Sequence, residues 1–126
     1  MAAYRIMVID DENIVGKMIK TAFEHDGYIV ETFLNPKPAL ARLKEEKFHV
    51  VITDLKMKDM DGMGVLKTIK DESPEIKVIM ITAFASLDAA VEAFRRNAND
   101  FFAKPVKISD LKACVQRLLH ETPSQG

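Results

Sequence analysis

The sequence predicts an α/β fold, a doubly wound, five-stranded parallel sheet with five helices on its two faces. Three observations lead there. Short apolar or β-branched runs alternate with helical patterns five times over, and five β-then-α units make a parallel sheet covered on both sides. The first, third and fourth runs are almost continuously apolar, the mark of central strands, whereas the second is half polar and belongs at an edge. A length of 126 residues suits one domain able to bury roughly two-thirds of its unfolded surface.

The elements follow in order. "RIMVID" (Arg5–Asp10) reads as a buried strand. Val15, Met18, Ile19, Ala22 and Phe23 then recur at helical spacing as a core stripe, and Gly27 stops that helix. "YIVETFL" (Tyr28–Leu34) alternates as the second strand, and Pro38 opens a short helix carrying Leu40 and Leu43. "HVVITD" (His49–Asp54) is the third strand. Val65, Leu66 and Ile69 mark a third helix ended by Ser73-Pro74. "KVIMIT" (Lys77–Thr82) is the fourth strand, and Ser86 caps a helix with Leu87, Ala90, Val91 and Phe94 on one core-facing side. "DFFA" (Asp100–Ala103) is a short fifth strand. Ser109 caps a last helix with Leu111, Cys114, Val115, Leu118 and Leu119 inward. The core spans about residues 5–120, and 121–126 read as a frayed tail. The flavodoxin-like order 2-1-3-4-5 satisfies the central and edge assignments together, and it puts a site beyond the carboxyl ends of the strands, between strands one and three.

Composition excludes several classes of function. The chain is 48% hydrophobic and 29% charged with a net charge of −1, which gives no electrostatic case for nucleic acid. No stretch approaches the ~20 apolar residues of a membrane span. The apolar run in "MAAYRIMVIDDE" is too short for a signal peptide, so a cytoplasmic chain is expected. The single cysteine, Cys114, reads as a small buried hydrophobe. His25, His49 and His120 lie on different elements, a poor pattern for a metal or catalytic histidine.

The chemistry gathers at the strand ends. Asp10 and Asp11 follow strand one, Asp54 ends strand three, Thr82 ends strand four, and Lys104 follows strand five. Two like charges ~4 Å apart cost about 4 kcal/mol at an effective dielectric of 20, so a cation must offset them. Lys104 supplies one positive charge; a divalent metal supplies more, and all-oxygen ligands suit Mg²⁺. A carboxylate nucleophile, a lysine and a hydroxyl donor beside such a metal make a phosphoryl-transfer site. Singly, each residue has a plainer reading. Asp11 and Asn13 could cap helix one, Asp59 and Asp61 with Gly62 could form a turn, Thr82 could be a strand residue, and Phe101 could be core.

Taken together, "VIDDE", "VVITDLKMKDMDG", "MITAFAS" and "DFFAKP" resemble the receiver domain of two-component response regulators over about Arg5 to His120. The resemblance implies a phosphoacceptor signalling domain rather than an enzyme with its own substrate, one that assists its own phosphotransfer and dephosphorylation. It implies that Asp10 and Asp11 hold Mg²⁺, with Asp11 the more direct ligand. Asp54 would accept the phosphoryl group from a partner's phosphohistidine and also bind the metal, with the Lys56 backbone carbonyl completing the protein ligands. Thr82 would hydrogen-bond the phosphoryl group, Lys104 would pair with another of its oxygens, and Phe101 would be the aromatic switch. A cis Lys104-Pro105 peptide is also implied. The chain departs from the pattern where Lys58 follows Met57 in place of proline, where Asn97 replaces a helix-ending glycine, and where Phe101 lacks tyrosine's hydroxyl. Lys56 and Phe84 flank the site at positions that vary in the family.

The expected partners are a histidine kinase or histidine phosphotransfer protein and a downstream protein target, met on the face of helix four, strand five and helix five, where Arg95, Arg96 and Lys107 are candidate contacts. No direct nucleic-acid or membrane contact is expected, and the chain should be a monomer or a weak phosphorylation-dependent dimer. Two alternatives remain open. One is the detached N-terminal receiver of a longer transcription activator, since "ITAFASLDAAVEAF" is similar to receivers of enhancer-binding activators. The other is an interaction module working without phosphorylation. A flavodoxin would need a hydroxyl-rich phosphate loop after strand one, a haloacid-dehalogenase-type phosphatase a D-x-D motif there, and no Walker or G-x-S-x-G motif occurs.

Overall fold

A computed structural model describes residues 3–57 and 61–120 of the chain. The elements run β1 (Arg5–Ile9), α1 (Asn13–His25), β2 (Ile29–Phe33), α2 (Pro36–Glu45), β3 (Val50–Asp54), α3 (Gly62–Glu72), β4 (Lys77–Thr82), α4 (Leu87–Arg95), β5 (Asp100–Ala103) and α5 (Ile108–Leu119). The strands form one sheet in the order β2-β1-β3-β4-β5 with every pairing parallel. The expected fold class and topology are therefore what is found. Lys58, Asp59 and the tail 121–126 lie outside the described residues.

The sheet divides the core by strand parity, because alternate side chains leave opposite faces. Met7, Ile9, Val51, Val78 and Met80 meet Ala39, Val65, Leu66, Ile69 and Ala93 from α2, α3 and α4. Ile6, Val8, Val50, Ile52, Ile79 and Ile81 meet Ile19, Phe23, Leu111, Cys114, Val115 and Leu118 from α1 and α5. On that second face the Cys114 thiol donates to Asp100 Oδ2 at 3.2 Å, and the same oxygen takes Arg117 at 3.0 Å. Burial and the neighbouring Asp100 carboxylate push the thiol pKa up to about 12.

Several boundaries and faces differ from the sequence expectation. Helix α2 starts at Pro36, two residues before Pro38, with Asn35 accepting from the Lys37 N–H at 2.9 Å; proline fits the first helical position because its missing donor has no partner there. Helix α5 starts at Ile108 with Lys107 at the cap position and no side-chain cap bond, so Ser109 lies inside the first turn. The larger correction concerns α4 and Met18. Leu87, Val91 and Phe94 are 80%, 41% and 49% exposed, and Met18 is 45% exposed. Helix α4 seats on the sheet through Ala93, which is buried, and through half-buried Ala89 and Ala90. Those small side chains let the helix come close, and its bulky stripe turns to solvent. Asn97 has φ 72°, and Gly27 has φ 92°; asparagine tolerates this left-handed region.

The orientation of α4 makes a direct prediction. Phe94→Ser and Met18→Gln should each change the unfolding free energy by less than about 0.5 kcal/mol, the usual range for surface sites. Ala93→Phe should cost about 1–3 kcal/mol through overpacking. Urea denaturation of the three variants decides it: a large loss for Phe94→Ser with none for Ala93→Phe would reverse the helix face.

Candidate functional site

Register brings the polar groups together. Ile9 pairs with Thr53, so Asp10 and Asp54 each lie one residue past that pair. Asp54 pairs with Ile81, directly before Thr82, and Thr82 pairs with Ala103, directly before Lys104. Backbone bonds continue the sheet into the loops: Asp10 N donates to Phe33 O at 3.0 Å, Leu55 N to Ile81 O at 3.0 Å, and Lys104 N to Thr82 O at 2.8 Å. Four loops thus leave the same edge of the sheet in contact with one another. The Lys104-Pro105 peptide is cis.

Lys104 is the centre of the cluster. Its Nζ lies 2.8 Å from Asp10 Oδ2, 2.9 Å from Glu12 Oε1 and 3.0 Å from Asp54 Oδ2. The other oxygens of the aspartates take backbone donors: Glu12 N reaches Asp10 Oδ1 at 2.8 Å, and Lys56 N reaches Asp54 Oδ1 at 3.1 Å. Asp10, Asp54 and Thr82 are buried. The Thr82 hydroxyl accepts the Phe84 N–H at 3.0 Å, and Lys56 Nζ stands 5.1 Å over the Phe84 ring at the rim. Phe101 is partly buried against the α2–α3–α4 side of the core.

Charge is unbalanced here. Burial raises the Asp10 pKa above 3.8, more than Lys104 and the Glu12 N–H pull it down. Burial also works against the Lys104 ammonium, but its contacts with Asp10, Glu12 and Asp54 outweigh that and hold its pKa above the ordinary lysine range. Asp10 Oδ2 has no aligned hydrogen bond; its approach to Lys104 is an ion pair only. Asp10, Glu12 and Asp54 each offer a carboxylate oxygen within 4.8 Å of the others. This donor set, with its orphaned buried oxygen, fits a hard oxygen-seeking cation such as Mg²⁺.

Of the residues singled out from sequence, Asp10, Asp54 and Lys104 meet directly, and Thr82 ends the strand beside Asp54. Asp11 is half-buried and is not among the three acids at ligand spacing; Glu12 is. The sequence reading centred on the adjacent pair Asp10-Asp11; the signal for Glu12 is the third acid of "DDE". Asp61 caps α3, accepting the Met63 N–H at 3.0 Å. Gly62 does more than turn the chain. Its N–H donates to Leu55 O at 2.6 Å, and a Cβ there would strike the Asp54 carbonyl oxygen and come within 2.7 Å of Leu55 Cα. The end of β3 and the start of α3 touch backbone to backbone.

Comparison with known proteins agrees with this geometry. The family model described as response regulator receiver domain matches residues 6–116. The DNA-binding transcriptional regulator NtrC of Proteus hauseri is 33% identical over 90% of this chain and 24% of its own length. The regulatory protein AtoC of Escherichia coli (strain K12) is 36% identical over 94% of this chain and 26% of its own. The chain thus spans about a quarter of the curated relatives it matches. Among solved structures, a CheY-like response regulator receiver domain protein from Methanospirillum hungatei JF-1 superposes with a TM-score of 0.90 at 30% identity, covering 94% of both chains.

The burial of Asp10 predicts a pH effect in the metal-free protein. A folded pKa raised above its unfolded value favours the folded state below the unfolded value, and that contribution is lost as pH rises through the folded one. Wild type in EDTA should therefore lose stability relative to Asp10→Asn as pH rises from about 4. At neutral pH Asp10→Asn should be the more stable of the two. Denaturation of both proteins across pH checks it; a parallel pair of profiles would remove the assigned strain at Asp10.

Proposed function

We propose, because the chain belongs to the response regulator receiver domain family, that it works as a Mg²⁺-dependent phosphoacceptor switch with Asp54 as the acceptor. Receivers are signalling domains, and their phosphoryl groups come from histidine kinases. The observation that carries the reading is the meeting of Asp10, Asp54 and Lys104 at the carboxyl edge of the sheet, with Thr82 beside them. In the proposed step an Asp54 carboxylate oxygen attacks the phosphorus of a phosphohistidine on a histidine kinase or phosphotransfer protein. The new O–P bond forms as the N–P bond breaks, and the histidine nitrogen leaves with the electron pair. Asp10, Asp11, Asp54 and the Lys56 carbonyl would hold Mg²⁺, with a Glu12 oxygen also within reach. The metal supplies positive charge to the transferring oxygens. Lys104 pairs with one phosphoryl oxygen, the Thr82 hydroxyl donates to another, and the same groups favour later attack by water.

A phosphoryl group adds about −1.5 to −2 charge at Asp54. In the proposed switch Thr82 moves toward it, and Phe101 turns into the space left behind, changing the face of α4, β5 and α5. That face exposes Leu87, Val91 and Phe94 beside Arg95, Arg96 and Lys107, a surface suited to a protein target rather than to nucleic acid or membrane. Among the described residues no helix is long and apolar enough to cross a membrane, in keeping with a cytoplasmic chain of one domain, core about residues 5–120, monomeric or weakly dimeric when phosphorylated. A second reading has its own support: relatives named as transcriptional regulators match only over about a quarter of their length. On that reading the chain is the N-terminal receiver of a longer activator.

Two experiments test the switch. Incubation with acetyl phosphate and Mg²⁺ should add one phosphoryl group by intact mass; Asp54→Asn or EDTA should abolish it, and Asp59→Asn or Asp61→Asn should leave it nearly intact. Equal labelling of Asp54→Asn would sink the acceptor. Chemical-shift mapping with beryllofluoride should show changes reaching Phe101 and α4 in wild type. Thr82→Ala should bind the mimic yet lose most of that spread, and a wild-type response confined to the loops would remove the output face.

A further inference from the structure

An ammonium has three N–H donors, and three carboxylates surround the one on Lys104. Glu12 and Asp54 take aligned hydrogen bonds from it and Asp10 faces it as an ion pair, so a phosphoryl oxygen on Asp54 meets an ammonium already crowded by carboxylates. The three are not equivalent. The Asp10 and Asp54 side chains are 0% and 6% exposed, whereas Glu12 is 57% exposed. Releasing a buried carboxylate strands an uncompensated charge, while an exposed one returns to water at little cost. A second feature singles out the same residue. Glu12 holds the N-cap position of α1, but its side chain makes no cap bond. Serine, threonine, aspartate and asparagine are the residues that satisfy a helix N-terminus. The Glu12 carboxylate instead spans to a lysine 92 positions further along the chain.

From these observations we infer that Glu12 is a positioning residue acting through Lys104. It takes one of the ammonium's hydrogen bonds before phosphorylation and is the partner exchanged for a phosphoryl oxygen. The inference rests on the phosphoacceptor reading above. Glu12 holds the ammonium over the mouth of the site and, in doing so, competes with the phosphoryl group for it. Weakening the Glu12 contact therefore favours the phosphorylated arrangement.

The test titrates beryllofluoride, at saturating Mg²⁺, into wild type, Glu12→Gln and Glu12→Asp, followed by amide chemical shifts. Glu12→Gln removes the charge. Glu12→Asp keeps the charge, withdraws it by one methylene, and supplies a favoured cap, so its melting temperature should not fall. Both should bind the mimic roughly two- to five-fold tighter than wild type, the scale of one exposed ion pair. The advantage should shrink when salt rises from ~0.05 to ~0.5 M. Unchanged or weaker binding by Glu12→Gln overturns the inference. So does a Glu12→Asp affinity equal to wild type, because charge rather than contact would then be at work. If wild type binds and the variants match it, the phosphoacceptor reading stands and the Glu12 role falls. If wild type itself binds no beryllofluoride, the reading and the inference fall together.

Discussion

Three carboxylates share one ammonium, and much of the molecule is arranged to hold them there. At separations near 4 Å each like-charged pair costs about 4 kcal/mol at an effective dielectric of 20. Lys104, 2.8–3.0 Å from all three, offsets part of that, and the Glu12 and Lys56 N–H groups offset more. Burial, with a smaller push from Asp54, still leaves the Asp10 pKa raised, and Asp10 Oδ2 is unbonded. Such a site stays assembled because the groups are not free to separate. Asp54 is itself the last residue of β3, and Asp10, Thr82 and Lys104 are tied by backbone bonds across the sheet. Hydrophobic packing on both faces of that sheet keeps the charges close, and their closeness makes the site receptive to a cation.

The same logic explains what could be read from the residues alone. The near-continuous apolar runs of β1, β3 and β4 signal double-sided burial, so strand order and the convergence of strand-end groups followed from composition. Side-chain periodicity was less informative for α4. The spacing of Leu87, Val91 and Phe94 identifies a helix and a stripe but not which side meets the sheet. Ala89, Ala90 and Ala93 form a second stripe of small residues, and close approach there decided the orientation. Glu12 escaped notice for a similar reason. Its role depends on a contact across 92 positions, which no local pattern encodes. Gly62 looked like turn chemistry because its close approach to Asp54 and Leu55 exists only once the strand and helix have met.

Like the apolar stripe of α4, Phe84 is exposed, at 63%, and lies under the Lys56 ammonium. Lys56 is two residues from Asp54, and Phe84 is two from Thr82, so this pair stands at the rim of the site. A contiguous exposed apolar patch on a small domain is a common site of protein contact. The relatives named as transcriptional regulators are about four times as long as this chain.

Cys114 has a use unrelated to signalling. It is the chain's one cysteine, buried on the α1–α5 side, with its thiol bonded to Asp100 and its pKa near 12. Thiolate is the species that reacts with alkylating reagents, so the native sulfur is shielded twice, by access and by protonation. Labelling must wait for α5 to lift from the sheet, and its rate then measures how often that opening occurs. The fold thus carries its own single-site clock for local unfolding, at the opposite end of β5 from Lys104.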